Sequence, residues 1–313
     1  MTNPLETPYR PETETQFEAV IRKGIDEALV EVRRQFEDTP EKKDRLPFHN
    51  TRHTKDVVRR TGLIFSAIRE ARPELVSERD IALGRLTAAY HDIIQRWEEN
   101  RARDGEFEKT MRRRFTTQNE YESAERAVQF MDCLDAAQDP LFTEEDKMIV
   151  REAIDVTIPG FSPEKGTVIQ PNLKETSSLI TRAIALADLG TAGMDGARAY
   201  AEEGDALFRE ENLDILEAAK DPGRLPEAQK QYYAKRMIGW SKFQATFARG
   251  REALLENELT GLDEASKNAA KKLFNKFSDT ILRAEEKGKQ RESMSFEELL
   301  ADMGYETRKA SET

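Results

Sequence analysis

Apolar residues recur along this chain at the three- and four-residue spacing of amphipathic helices, and no stretch stands out with the alternation of a half-buried strand. The first stripe is Phe17, Ile21, Ile25, Ala28 and Val32, ending near Glu37. A second, with Val57, Val58, Leu63, Ile64 and Ile68, begins at Asn50 or Thr51 and is closed by Pro73. Ser77 with Asp80 three residues on has the form of a helix N-cap with an acidic first turn, and it opens an apolar helix through IALGRLTAAYHDII. Helical patterns resume at 118–138, 143–156, 174–190, 196–219, 227–257 and 263–286. Between them, EENRARDGEFEKTMRRRFTT over 98–117 is a charged run read as a solvated loop, with a lid over a site as the alternative. The expected class is all-α, helices packed on helices. Its expected division is a flexible start over 1–12, a helical core over 13–200, a helical extension over 201–287 packed on that core, and a loosely ordered tail over 288–313. Within the tail, SFEELLADMG has the makings of a short docking helix.

Composition narrows the function. A net charge of −11 opposes coating of nucleic acid or attraction to anionic lipid, while leaving room for a local basic pocket around one small anionic substrate. Cys133 is the only cysteine, so an internal disulfide, a four-cysteine zinc knuckle and an iron–sulfur cluster are all excluded. The N-terminal MTNPLETPYRPETETQFEAV has neither a basic start nor an apolar stretch, and no later segment approaches the roughly 20 apolar residues that span a bilayer. The expectation is a soluble, cytoplasmic protein with no membrane partner.

The chain has three histidines, His49, His53 and His91. His49 and His53 are four apart, a usable ligand spacing on one helix face; with the helix starting at Asn50 or Thr51, His49 sits at its mouth and His53 inside, which suits different roles. His91 and Asp92 follow the apolar run LTAAY and precede two isoleucines, so the pair points inward near a helix end, where a buried carboxylate needs a cation or strong hydrogen bonds. The plainer reading is a packed histidine beside an aspartate that caps or pairs with a basic residue. In SSLITRAIALADLGTAG, Ile180, Ile184 and Asp188 share a face, which makes Asp188 a metal ligand, a buried acid bonded to Thr191 or to backbone amides, or a solvent-facing residue at a helix end; Asp155 is its rival. Two histidines with two aspartates form a mixed nitrogen and oxygen sphere suited to zinc, manganese, iron or, less comfortably, magnesium. Such an ion polarises a phosphoryl oxygen and activates water for attack on phosphorus.

At these residues the chain resembles the HD superfamily of metal-dependent phosphohydrolases, whose ligand order of histidine, His-Asp pair and distant aspartate reads here as His53, His91, Asp92 and Asp188. The resemblance implies an HD-type helical bundle over about 46–195, a divalent metal cofactor and a small phosphorylated substrate such as a nucleotide. FHNTRHTKDV is similar to the phosphodiesterase pattern in which a His-Asn pair precedes the ligand histidine; it implies that His49 is the general acid and that Asn50 contacts substrate. A closer likeness is to the bacterial branch of predicted HD phosphohydrolases, in which an Asn-Glu-x-x-Ser-Ala helix follows, here Asn119, Glu120, Ser123 and Ala124. By that likeness Glu120 orients the attacking water or bonds a ligand histidine, a capping acid being the other reading. AIDVTIPGF resembles the segment before the last ligand helix, which places Asp155 and Thr157 at the pocket wall. WSKFQATFARGREAL resembles the helix closing such pockets, giving Gln244, Arg249 or Arg251 a base or phosphate to meet, with surface salt bridges as the other fate of each arginine. The third histidine of many phosphodiesterases and the Glu-Asp pair of the alarmone hydrolases are missing from HDIIQRWEEN, which argues against a fully liganded second metal. The competing function is a nucleotide-binding regulatory module with little turnover; a helical scaffold with incidental histidines is the third.

Overall fold

The computed structural model describes residues 16–137 and 140–307. The expected start over 1–12 and the final residues of the tail lie outside this range. The chain is mostly helical. Its first half runs α1 (Gln16–Val32), α2 (Thr51–Ala71), α3 (Glu78–Tyr90), a hairpin of β1 (Trp97–Asp104) and β2 (Phe107–Arg114), α4 (Gln118–Ala137) and α5 (Glu144–Asp155). Next come a small pair, β3 (Gly160–Ser162) and β4 (Thr167–Ile169), then α6 (Leu179–Asp188) and the short α7 (Thr191–Met194). The second half is α8 (Ala197–Glu211), α9 (Leu213–Ala218), the long α10 (Glu227–Glu258), α11 (Glu264–Leu273), α12 (Phe277–Arg291) and α13 (Phe296–Asp302). Among the described residues no helix is long and apolar enough to cross a membrane.

Local chemistry sets where the site-bearing helices begin. Asn50 caps α2, its side-chain oxygen accepting from the backbone N–H of Arg52 and His53, so His49 stands just outside the helix and His53 in its first turn. Ser77 and Asp80 form a reciprocal capping box at the start of α3, which places His91 at the far end. α2 lies against α3, α6 and α11, and the apolar stripes meet there in Val57, Ile64 and Phe65 of α2, Leu83 and Leu86 of α3, and Ile180 and Ile184 of α6, all buried.

Several expectations are corrected. Residues 98–117 are not a loop: β1 and β2 form an antiparallel hairpin with Asp104 opposite Phe107 across Gly105 and Glu106. Gly105 at φ +64° supplies the backbone that a two-residue hairpin turn needs. β1 is exposed on both faces beyond Trp97, so no hydrophobic alternation marks it. Cross-strand contacts hold the pair instead, with Arg113 3.3 Å from Glu98 and the Arg112 guanidinium 4.4 Å above the Trp97 ring. Phe107 at the tip stacks on Tyr232 of α10 at 4.5 Å.

The division at residue 200 falls inside α8, because the second half completes the core rather than resting on it. Ala248, Leu255, Leu259, Ala270, Phe274 and Phe277 belong to the same apolar cluster as the stripes of α1 to α6. The helical pattern at 196–219 breaks at Asn212, and that at 263–286 breaks between Phe274 and Lys276. The tail is not loosely held over its described part: Phe296, Leu299 and Leu300 of α13 are buried with Phe208, Ile215, Tyr233 and Met237 in a second cluster.

Gly84 allows α3 to approach α2 closely. A Cβ there would lie 2.4 Å from the buried Phe65 ring, which has nowhere to move. Gly84→Ala is expected to destabilise the chain by about 1–3 kcal/mol, read as a lowered urea midpoint; an unchanged midpoint would show that α2 and α3 can separate freely.

Candidate metal centre

The ends of three helices converge on one point. α2 contributes His53, the C-terminal end of α3 contributes His91 and Asp92, and the last residue of α6 is Asp188. His53 Nε2 lies 3.5 Å from Asp92 Oδ2 and 3.4 Å from Asp188 Oδ1; His91 Nε2 lies 3.1 Å from Asp92 Oδ2 and 3.6 Å from Asp188 Oδ1. Each imidazole thus stands between the same two carboxylates. His53, His91 and Asp92 present one ligand atom each within 4.8 Å of one another, a span that a single ion can bridge.

Both histidines are buried, and His53 Nδ1, His53 Nε2 and His91 Nε2 have no hydrogen-bond partner. Orphaned buried nitrogens are costly unless something fills the space between them. The donor set fits a divalent ion: neutral imidazole nitrogens and carboxylate oxygens match zinc, manganese or iron, and magnesium less well. His91 is further prepared, because its Nδ1 donates to the Ala88 carbonyl at 2.8 Å and leaves Nε2 to face the carboxylates.

A surrounding layer fixes these groups. Asn119 accepts from the Arg96 N–H at 2.9 Å and donates to the Arg96 carbonyl at 3.0 Å, while Ser123 Oγ accepts from the Ile94 N–H at 3.1 Å. The Asn-Glu-x-x-Ser pattern therefore ties down the segment that leaves Asp92. Gln95 donates to Asp92 Oδ1 at 2.7 Å and accepts from Arg114 Nε at 2.7 Å. Arg114 of β2 brings its Nη2 to 3.6 Å from Asp92 and 3.5 Å from Glu120. Arg60 of α2 clamps the end of α6 by donating to the Ala187 carbonyl at 3.1 Å.

His49 stands apart from this cluster. Its Nε2 is 3.9 Å from Asp92 Oδ2, while its Nδ1 is held by Glu210 of α8, whose other oxygen accepts from the N–H of Phe48 at 2.9 Å and of His49 at 3.1 Å. Burial opposes charge on Glu210, but His49 and these hydrogen bonds outweigh it and lower its carboxyl to about 2.

His49, Asp92 and Asp188 open onto a cavity of about 230 Å³ whose lining also includes Arg114, Glu120, Thr157 and Gln244; His53 and His91 are not part of that lining. A larger groove of about 760 Å³ runs past Lys42, Arg45, Asn50, Arg209 and Tyr305, but its lining holds none of the histidines. Thr157 and Gln244 line the smaller cavity. Asn50 does not: it is spent on the cap of α2 and faces the groove. Asp155 is exposed and accepts from Asn172 at 2.8 Å, outside the cavity lining, so the rivalry with Asp188 ends in favour of Asp188. Arg251 is buried against Glu258 at 2.6 Å and the Val168 carbonyl at 2.9 Å, and Arg249 pairs with Glu285; neither lines the cavity. Glu120 lines the cavity but bonds neither His53 nor His91; it accepts from the Thr117 N–H at 2.5 Å and faces Arg114.

Sequence reasoning missed Glu210, Gln95 and Arg114. The Asp104-Gly105 dipeptide was a hairpin signal that could have brought Arg114 forward; Glu210 is one acid among several in FREEN and carries no such mark. No protein-family model, curated protein or solved structure matches the chain.

Burial works against charge on His53 and His91, yet Asp92 and Asp188 overcome it: His53 is raised to about 9 and His91 well above its ordinary value, while both carboxyls are pushed down. The two carboxylates thus favour the protonated imidazoles in the metal-free chain, and an entering divalent ion competes with those protons. Metal affinity is expected to climb as pH rises through the release of the His53 proton at about 9, with proton release visible in calorimetry as a dependence of the binding heat on buffer. A heat independent of the buffer would contradict this charge state.

Proposed function

We propose that the chain is a metal-dependent phosphohydrolase acting on a nucleotide or another small phosphoester. The carrying observation is the set of three unpartnered nitrogens on two buried histidines, facing two shared carboxylates at the wall of a cavity. The donor chemistry supports one divalent ion held by His53, His91, Asp92 and Asp188. When bound, such an ion supplies Lewis-acid polarisation of a phosphoryl oxygen and acidifies a water for attack.

The remaining residues divide the work. Arg114 projects from β2 into the cavity beside Asp92, where its guanidinium can bind a phosphoryl oxygen. Glu120 and Gln95 hold that guanidinium in place. His49 turns Nδ1 to Glu210 and directs Nε2 toward the cavity, the position from which a general acid serves the leaving oxygen. Glu210 acts through His49 by fixing its ring.

The test is a panel of phosphoesters assayed with manganese, iron, zinc and magnesium. His91→Asn with Asp92→Ala should lose both bound metal and turnover. His49→Gln should keep the metal and lose turnover by about 10²–10⁴-fold. Protein purified without chelator that holds no metal, and whose melting is unmoved by manganese, would sink the reading. A tight nucleotide complex without phosphate release would assign the pocket to binding alone.

A further inference from the structure

Five acids line the cavity, and four have a local partner. Asp92 and Asp188 face His53 and His91, Glu120 faces Arg114 at 3.5 Å, and Glu203 faces the buried Arg60 at 2.9 Å. Glu211 is the exception. It lines the same cavity, yet among the described residues it has no hydrogen bond and no ion pair. Burial and the neighbouring Glu210 push its carboxyl up to about 7, against the more distant pull of Arg114, Lys109 and Arg112. Arg114, the only Lys or Arg of the lining, is already engaged by Asp92, Gln95 and Glu120.

The same cavity has aromatic walls. Trp240 and Phe247 of α10 and Tyr200 of α8 line the cavity with Phe48. Their positions are pinned: Trp240 Nε1 donates to the Gly204 carbonyl at 3.0 Å, and Tyr200 donates to the Gln244 carbonyl at 2.8 Å. A Cβ at Gly204 would meet Gln244 Oε1 at 2.7 Å, so a larger residue there would displace the Gln244 side chain from its place in the lining. An unmatched carboxyl among aromatic faces is the chemistry that receives an organic cation, which takes the ion pair from the acid and cation–π attraction from the rings.

We infer that the cavity receives an alkylammonium group, with Glu211 as its anionic partner. Joined to the phosphohydrolase reading, on which this part rests, the substrate class is a phosphoester whose organic part carries a cationic amine. The phosphate meets the histidine end and Arg114; the amine meets Glu211 and the aromatic wall.

Calorimetry on the full chain tests this with two pairs of measurements. In the manganese-loaded protein, phosphoethanolamine should bind about tenfold or more tightly than ethyl phosphate, and Glu211→Gln, which preserves side-chain volume, should erase the preference. In the metal-free protein, ethylammonium should bind the native chain and not E211Q. Equal affinity for the two phosphoesters in the native chain, or a preference that survives in E211Q, overturns the inference. Ethylammonium binding that depends on Glu211, in a protein that takes up no metal, overturns the phosphohydrolase reading and leaves the ammonium site standing.

Discussion

Two histidines and two aspartates share a space in which neither kind of group can be left alone. Asp92 and Asp188 would be costly to bury as free carboxylates, and His53 and His91 would be costly to bury with idle nitrogens. Together they answer each other, as protonated imidazoles between carboxylates in the metal-free chain or as a ligand sphere around a divalent ion. The ends of α2, α3 and α6 must meet for either solution, and the close passage of α3 over Phe65 at Gly84 is part of what makes them meet.

The rest of the molecule supports that meeting point from outside. Arg60 reaches from α2 to the end of α6, Asn119 and Ser123 hold the chain as it leaves Asp92, and the hairpin brings Arg114 over the same carboxylate. The second half supplies what the first lacks: Glu210 to hold His49, and the Trp240 and Phe247 face of α10 to shut the far wall. The segment beginning at residue 201 therefore belongs to the site as well as to the core.

How much of this was legible in the sequence depended on whether the signal was local. The stripes of α1, α2 and α6 and the cap at Ser77 are written in neighbouring residues, and they could be read. The same holds for His53, His91, Asp92 and Asp188, because scarce histidines and an acid on an apolar face stand out. The hairpin was lost because its outer strand is exposed on both faces and so has no apolar period, leaving only Asp104-Gly105 as a signal. Asn50 and Arg251 were misplaced for the opposite reason: cap and ion pair are local uses of a polar residue, and both outweighed a place in a pocket built from distant helices. Glu210 and Glu211 differ by one position, yet one bonds a histidine and the other faces the cavity unpaired. Only the packing of α8 separates them.

The most direct measurement of the central claim is X-ray absorption at the metal edge of the protein loaded with one equivalent of zinc or manganese. The account predicts scattering from two imidazoles and otherwise oxygen donors, with metal–nitrogen distances of about 2.0–2.2 Å. The imidazole signal should halve in His53→Ala. A spectrum with oxygen donors only, or one unchanged by loss of His53, would contradict it.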